Sequence, residues 1–488
     1  MSTTTAPAPS STPRRRPGFA GRWWQALEAV GLPEERWLRI KPWQRRAIKA
    51  AIVVVLAIAI LAPLYGFKGA AYLAALTLLV LYVPSWDRLP FGRFVVPVGV
   101  FLLAALYPYY VDKLPGLPIL TSFPSLDTAF VMAIYVMMAL GLNIVVGYAG
   151  LLDLGYVAFY AFGAYTIGWL ASPQGQRWGV NKIIGGVGTQ VVGVGGLHVA
   201  VWIVLLAAAI AAAAAGVVIG LPTLRLRGDY LAIVTLGFGE IVGVIAQNGD
   251  CLLKGIAGHC INVTNGAQGI NPIDKPGFGF TLHRIIHIGG WHPLPVDFSS
   301  TFNQTRDFYW LGLLLVLFVV YCSLRLRDSK LGRAWIAIRE DETAAAAMGI
   351  PLMRTKTWAY AIGAFFGGIA GALLTSYVSG AFKDNFSFQF SIFVLCMVIL
   401  GGMGSIWGVI MGGALLAYLN IAGISNIGGW FNNTFNQNIH LENYTYGIYG
   451  VILVLMMLFR PTGLIPSSRR KAEFEEGVAD EPLYDVTA

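Results

Sequence analysis

Residues 126–171 read LDTAFVMAIYVMMALGLNIVVGYAGLLDLGYVAFYAFGAYTIGWLA. Two apolar runs, 126–146 and 154–171, flank a glycine-rich break at 147–155 that carries one carboxylate, Asp153. A hydrocarbon core of about 30 Å takes about 20 apolar residues as helix, because backbone polar groups there must bond within the segment. Further runs of this kind lie near 48–66, 70–84, 94–111, 197–220, 230–247, 308–324, 357–378, 388–402, 405–421 and 446–460. Several are short for a full crossing. The sequence therefore predicts an all-α polytopic membrane protein with about 10–12 membrane segments.

Composition excludes the other classes. Only 12% of the 488 residues are charged and 56% are hydrophobic, whereas soluble domains carry about 25% charge. Disorder needs the opposite balance, and four cysteines are too few for a disulfide scaffold. The net charge of +9 bears on topology and not on nucleic acid, since basic loops sort to the cytoplasmic side. With the N-terminus inside, residues 1–47, 85–93, 221–229, 325–356 and the tail after 460, with the span ends, hold about 25 of the 34 Lys and Arg. Both termini are thus expected in the cytoplasm. The chain divides into a basic, Trp-rich extension (1–47), N-terminal membrane helices (48–125), a main membrane region (126–465) and a disordered tail (466–488). No cleavable signal peptide is visible in the Arg-rich first 47 residues.

The cytoplasmic stretch 325–356 is much longer than an ordinary connection. Within it, DETAAAAMGIP (341–351) carries full helix punctuation: Asp341 as N-cap, Glu342 in the first turn, Gly349 as a left-handed stop and Pro351 barring continuation. A helix of about two turns does not persist alone in water, so something must hold it. Upstream, KLGRAWIAIR (330–339), with Arg333 and Arg339, reads as an amphipathic helix followed by Glu340.

Inside the membrane, Glu240 lies mid-span, where a charge costs about 2.5–3.5 kcal/mol, and must face protein or water. It is either a pathway residue or a structural hydrogen bond. Asp153 either lines a passage at a helix break or caps the following helix. Gly363, Gly367 and Gly371, and again Gly404, Gly408 and Gly412, recur every four residues, as close helix packing requires. The break at 401–405 echoes that at 147–155. Cys251 and Cys260 share an outward loop (248–307) and are candidates for a disulfide. His283, His287 and His292 in the same loop lack any supporting carboxylate or thiolate motif, so no metal site is expected.

Several blocks resemble one family. DSKLGRAWIAIREDETAAAAMGI (328–350) is similar to the coupling loop of permeases of branched-chain amino-acid ABC importers, LivM type. The likeness continues through 141–171, GLPTLRLRGDYLAIVTLGFGEIV (220–242), NVTNGAQGI (262–270), LGGMGSIWGVIMGGALL (400–416) and LVLMMLFRPTGLI (453–465). The resemblance implies a permease half in the bacterial inner membrane, taking up branched-chain or other hydrophobic amino acids. It implies a paralogous permease of LivH type, two ABC ATPases that bind ATP and Mg, and a periplasmic amino-acid-binding protein. Arg333, Arg339, Glu340, Asp341, Glu342 and Gly349 would then couple to the ATPase, and Asn143, Asp153 and Glu240 would be candidates for the pathway. Glu342 to Gly349 is one residue longer than the usual E-A-A-x-x-x-G spacing. The chain has no G-x-x-x-x-G-K-[ST], so it cannot cradle ATP phosphates in a P-loop, and no HExxH or GxSxG. The alternatives are a permease for urea, short amides or another small solute, and a self-sufficient secondary carrier, which usually buries several ionisable groups.

Overall fold

The computed structural model describes residues 101–102, 104–109, 111, 124–178, 180–184, 195–226, 229–251, 262–277, 282–286, 294–298, 305–435, 440–460 and 463–465. The chain forms two compact units, Met1–Leu103 and Ala104–Ala488; nearly all described residues belong to the second. The expected spans 48–66 and 70–84, the extension 1–47 and the tail 466–488 lie outside the described residues, and 94–111 lies partly so.

In chain order the helices are α1 (Leu126–Leu142), α2 (Val157–Leu170), α3 (Val201–Thr223), α4 (Asp229–Asn248), α5 (Thr305–Arg327), α6 (Lys330–Glu340), α7 (Glu342–Ala347), α8 (Leu352–Val378), α9 (Phe388–Gly401), α10 (Ile406–Tyr418), α11 (Ile424–Phe435) and α12 (Thr445–Phe459). Seven helical segments among the described residues are long and apolar enough to cross a membrane. α2 and α9, 14 residues each, extend only about 21 Å at 1.5 Å per residue. Each is cut short by a glycine-rich break.

Two boundaries differ from the sequence expectation. Residues 197–199 are not helix but a strand, and the run 405–421 continues through a π-turn at Leu419–Gly423 to Phe435. The strands β1 (Ala171–Ser172), β2 (Lys182–Ile184) and β3 (Leu197–Val199) form a small sheet in the order β1-β3-β2, with β3 antiparallel to β1 and parallel to β2. A hairpin pairs β4 (Leu282–Ile286) with β5 (Leu294–Phe298). Strand β3, at three residues, is too short and too apolar to be told from helix by periodicity.

Helix α8 is the hub, packed against α1, α2 and α3. Lipid offers no hydrophobic drive between helices, so close backbone approach must supply the contact. The glycine stripe does this. A Cβ on Gly371 would strike the backbone carbonyl of Tyr160, and one on Gly363 would meet Val145 and the Gly141 carbonyl. Gly367 lies against Tyr156, whose hydroxyl donates to the Gly363 carbonyl at 2.8 Å. On the other stripe, Gly408 and Gly412 both press on Gly401. Gly363, Gly367 and Gly371 thus share the packing face of α8, whereas Gly404 lies in the break before α10.

At the end of the bundle away from the 328–350 loop, His198 on β3 meets Asp274 at 2.8 Å, both buried. Asp274 is tied in further by its backbone N–H to the Ala171 carbonyl and by its own carbonyl, which accepts from Ser376 Oγ. Burial raises the Asp274 carboxyl above its usual range, and the hydrogen bond from His198 opposes this. Cys251 is disulfide-bonded. Cys322 and Cys396 are free, and Cys260 lies outside the described residues.

If the stripe is a packing surface, Gly371→Ala should lower the thermal midpoint of the solubilised permease, by about 1–3 kcal/mol of overpacking. Gly447→Ala, where an added Cβ meets nothing within 4 Å, should leave it unchanged or raise it slightly. Equal midpoints for the two variants would contradict the packing argument.

Candidate functional site

Helix α1 does not end at a loop. It widens into a π-turn, Asn143–Tyr148, and the chain then turns through Gly150, which adopts a positive φ of 69°. Bulged helical turns of this type gather at functional positions. The second break, after α9, is made by Gly402 and Gly404, both with positive φ.

The two breaks meet. Asn143, almost wholly buried, accepts the Gly404 backbone N–H on Oδ1 at 2.8 Å. From the 328–350 loop, Arg339 at the end of α6 donates from Nη1 to the Gly147 carbonyl at 2.8 Å. Its alkyl stem covers Gly150, and its guanidinium sits beside Gly404. One arginine thus touches both breaks and supplies the partner for the Gly147 carbonyl that the interrupted α1 releases. The final described segment completes the junction: the Leu464 and Ile465 N–H groups donate to the Leu400 and Gly401 carbonyls at 2.9 and 3.2 Å.

The first break is also stapled to its neighbours. Thr235 Oγ1 on α4 accepts from the Leu154 N–H, and Ser391 Oγ on α9 accepts from the Val157 N–H. Asp153 is buried; its Oδ1 accepts from the Gly155 N–H at 2.9 Å, a bond two residues ahead. It makes a local turn, whereas α2 starts after Tyr156 without a side-chain cap. The other oxygen, Oδ2, is buried with no hydrogen-bond partner among the described residues.

The loop that carries Arg339 is built as its punctuation predicts. Ser329 caps α6 by accepting from the Gly332 N–H. Asp341 caps α7, accepting from the Thr343 and Ala344 N–H groups at 2.8 and 3.0 Å. The Thr343 hydroxyl above all, and then these N–H groups, hold the Asp341 carboxyl below its usual range. Gly349 takes a φ of 82°, and Pro351 precedes α8. Both helices of the loop are moored to α8: Glu342 of α7 pairs with Lys356 at 2.8 Å, and the buried Trp335 indole of α6 donates to the Thr355 carbonyl at 2.8 Å. Arg333 and Glu340 are exposed, Arg333 donating to the Asp328 carbonyl. The outer face of α7, Thr343, Ala344, Ala346, Ala347 and Met348, is exposed.

Of the three candidates for the pathway, Asn143 and Asp153 are enclosed at the break, and only Glu240 is exposed. It stands apart from the junction, on the outer face of α4. Sequence reasoning singled out Asn143 and Arg339 but not their partners. Lys356, Thr235 and Ser391 were missed altogether; a lysine five residues past a proline stop gave the only sign of the mooring.

The mooring predicts unequal effects for adjacent acidic residues. Glu342→Ala strands the Lys356 ammonium, whose side chain is only 4% exposed, and should destabilise the permease by up to about 3 kcal/mol. Glu340→Ala, on an exposed carboxylate, should shift the melting midpoint little. Reversal of that order in thermal unfolding would remove Glu342 from the mooring.

Residues 125–457 match the family described as branched-chain amino acid transport system / permease component. The chain is similar to the high-affinity branched-chain amino acid transport system permease protein LivM of Escherichia coli K12, 37% identical over 390 residues, covering 78% of this chain and 77% of the relative. It resembles a probable LivM of Methanocaldococcus jannaschii at 27% identity, covering 68% of this chain and 90% of that protein. A shorter match, 25% identical over 169 residues, reaches the LivH permease of E. coli K12, over 35% of this chain and 50% of LivH. No solved structure matches. On the length and identity of these matches, the chain belongs to the permease-component family of branched-chain amino-acid transport systems.

Proposed function

We propose that this chain is one permease half of an ABC importer for branched-chain amino acids and that its α4 face, with Glu240, lines a passage shared with a paired permease. The observation that carries the reading is the state of α4. Its inner side, Leu231, Thr235, Gly239 and Ala246, is buried, with Gly239 and Thr235 close against Gly155 of the first break. Its outer side is uncovered: Tyr230, Ile233, Glu240, Ile241 and Val244 are exposed, and Gly237 has open space around it. These positions recur at helical spacing and form one stripe. A mid-span carboxylate facing lipid costs about 2.5–3.5 kcal/mol, so the stripe fits a second subunit and the water between them.

The partners follow from the same reading. A permease of LivH type faces α4. Two ATPase subunits, which bind ATP and Mg, dock on the exposed alanine face of α7, and a periplasmic binding protein delivers the amino acid. Both termini and the 328–350 loop lie in the cytoplasm, and the chain is a multi-pass protein of the inner membrane. Hydrolysis belongs to the ATPases. A push on α7 reaches the breaks through α6, because Asp341 is at once the end of α6 and the cap of α7, and Arg339 two residues earlier holds Gly147.

ATP-driven leucine uptake by the complete importer in proteoliposomes tests this. Glu240→Gln keeps shape and hydrogen bonding and should reduce the uptake rate several-fold at equal assembly, with solute preference unchanged. Uptake at the rate of the unaltered protein would remove Glu240 from the passage.

A further inference from the structure

At the end of α5 that enters the 328–350 loop, helices α3, α5 and α8 leave an apolar groove of about 470 Å³. The size is within the range of about 300–1,000 Å³ typical of ligand sites. Phe318, Tyr321, Cys322 and Arg325 of α5 form one wall, and Trp358 and Phe365 of α8 the other. From Phe318 to Arg325 is seven residues, so the groove runs about 10 Å along α5.

Its polar feature is at one end. The Arg325 guanidinium, two residues before the end of α5, lies 5.4 Å from the centre of the Tyr321 ring. Arg327, two residues on, pairs with Asp328. Arg325 has no ion-pair partner among the described residues, and neither does Arg354, which is exposed and one turn before Trp358 on α8. Tyr321 and Trp358 are 58% and 48% exposed, as aromatic rings are where a bilayer meets water. The groove therefore pairs a cationic mouth at headgroup depth with apolar walls leading toward the membrane centre.

We propose that this groove is a binding site for an anionic phospholipid, whose phosphate meets Arg325 and whose acyl chain lies between Phe318 and Phe365. The charge and the shape both favour that occupant. A zwitterionic headgroup gives the arginine no net counter-charge, whereas an anionic one does. A volume of this size spread over about 10 Å is narrower than a helix about 10–12 Å across, but it accommodates a single extended chain. Non-helical peptide is unsuited, because apolar walls at membrane depth leave its backbone unsatisfied.

Cys322, a free thiol in the wall, reports occupancy. The complete importer would be placed in nanodiscs of phosphatidylcholine alone, or with one quarter phosphatidylglycerol, and N-ethylmaleimide modification of Cys322 followed by peptide mass spectrometry. The expected result is slowing by about fivefold in the anionic discs, the effect of one arginine near an anionic surface. Arg325→Gln should abolish the difference, while Arg306→Gln, on the other end of α5, should keep it. Equal rates in the two lipids for the unaltered protein would overturn the proposal, and that comparison stands even if Arg325→Gln fails to fold. Persistence of the difference in Arg325→Gln would overturn it too. So would protection in both lipids that depends on the paired permease, which would make the groove a subunit contact.

Discussion

The bond from Arg339 to the Gly147 carbonyl, beside the bond from Gly404 to Asn143, is the constraint on which the described bundle rests. A membrane helix can be interrupted only if other groups satisfy the N–H and C=O groups it frees. Here two helices are interrupted where they meet, and the groups that answer come from the first break and from the loop. Asn143 serves the second break from the first. Arg339 serves the first from the 328–350 loop, and its charge strengthens the bond it donates. The loop is therefore part of the membrane domain's own hydrogen bonding and not merely a tether.

That arrangement explains the division of the surface. Around the breaks, glycines bring backbones together: Gly155 against Thr235, Gly401 against Gly408, Gly371 against Tyr160. Helices α1 and α8 are correspondingly buried, while α12 is exposed over most of its length and α4 is buried on one side only. The exposed side of α12 is uniformly apolar and suits lipid. The exposed side of α4 carries a carboxylate and suits a neighbour. Movement of the 328–350 loop would act first on the breaks and, through Thr235 and Gly239, on α4.

Much of this was legible in the sequence because it is local. The cap at Asp341 and the stop at Gly349 each act within a turn or two, and the structure uses them as read. The junction was not legible because its bonds span 192 residues in one case and 261 in the other. No periodic pattern ties Asn143 to Gly404. Glu240 was placed mid-span correctly, but α4 is apolar on most sides, so hydropathy could not say which side faced out. His198 was hidden for a different reason. It opens an apolar run that reads as helix, yet β3 pairs with two other strands there and brings the imidazole to Asp274.

The most direct measurement of the junction is a double-mutant cycle on the thermal stability of the solubilised permease, with Arg339→Ala, Asn143→Ala and the pair. If both side chains hold one clasp, loss of either opens it, and the double variant should be less destabilised than the sum by more than about 0.5 kcal/mol. Additivity within about 0.3 kcal/mol would mean two independent bonds and would contradict the single junction described.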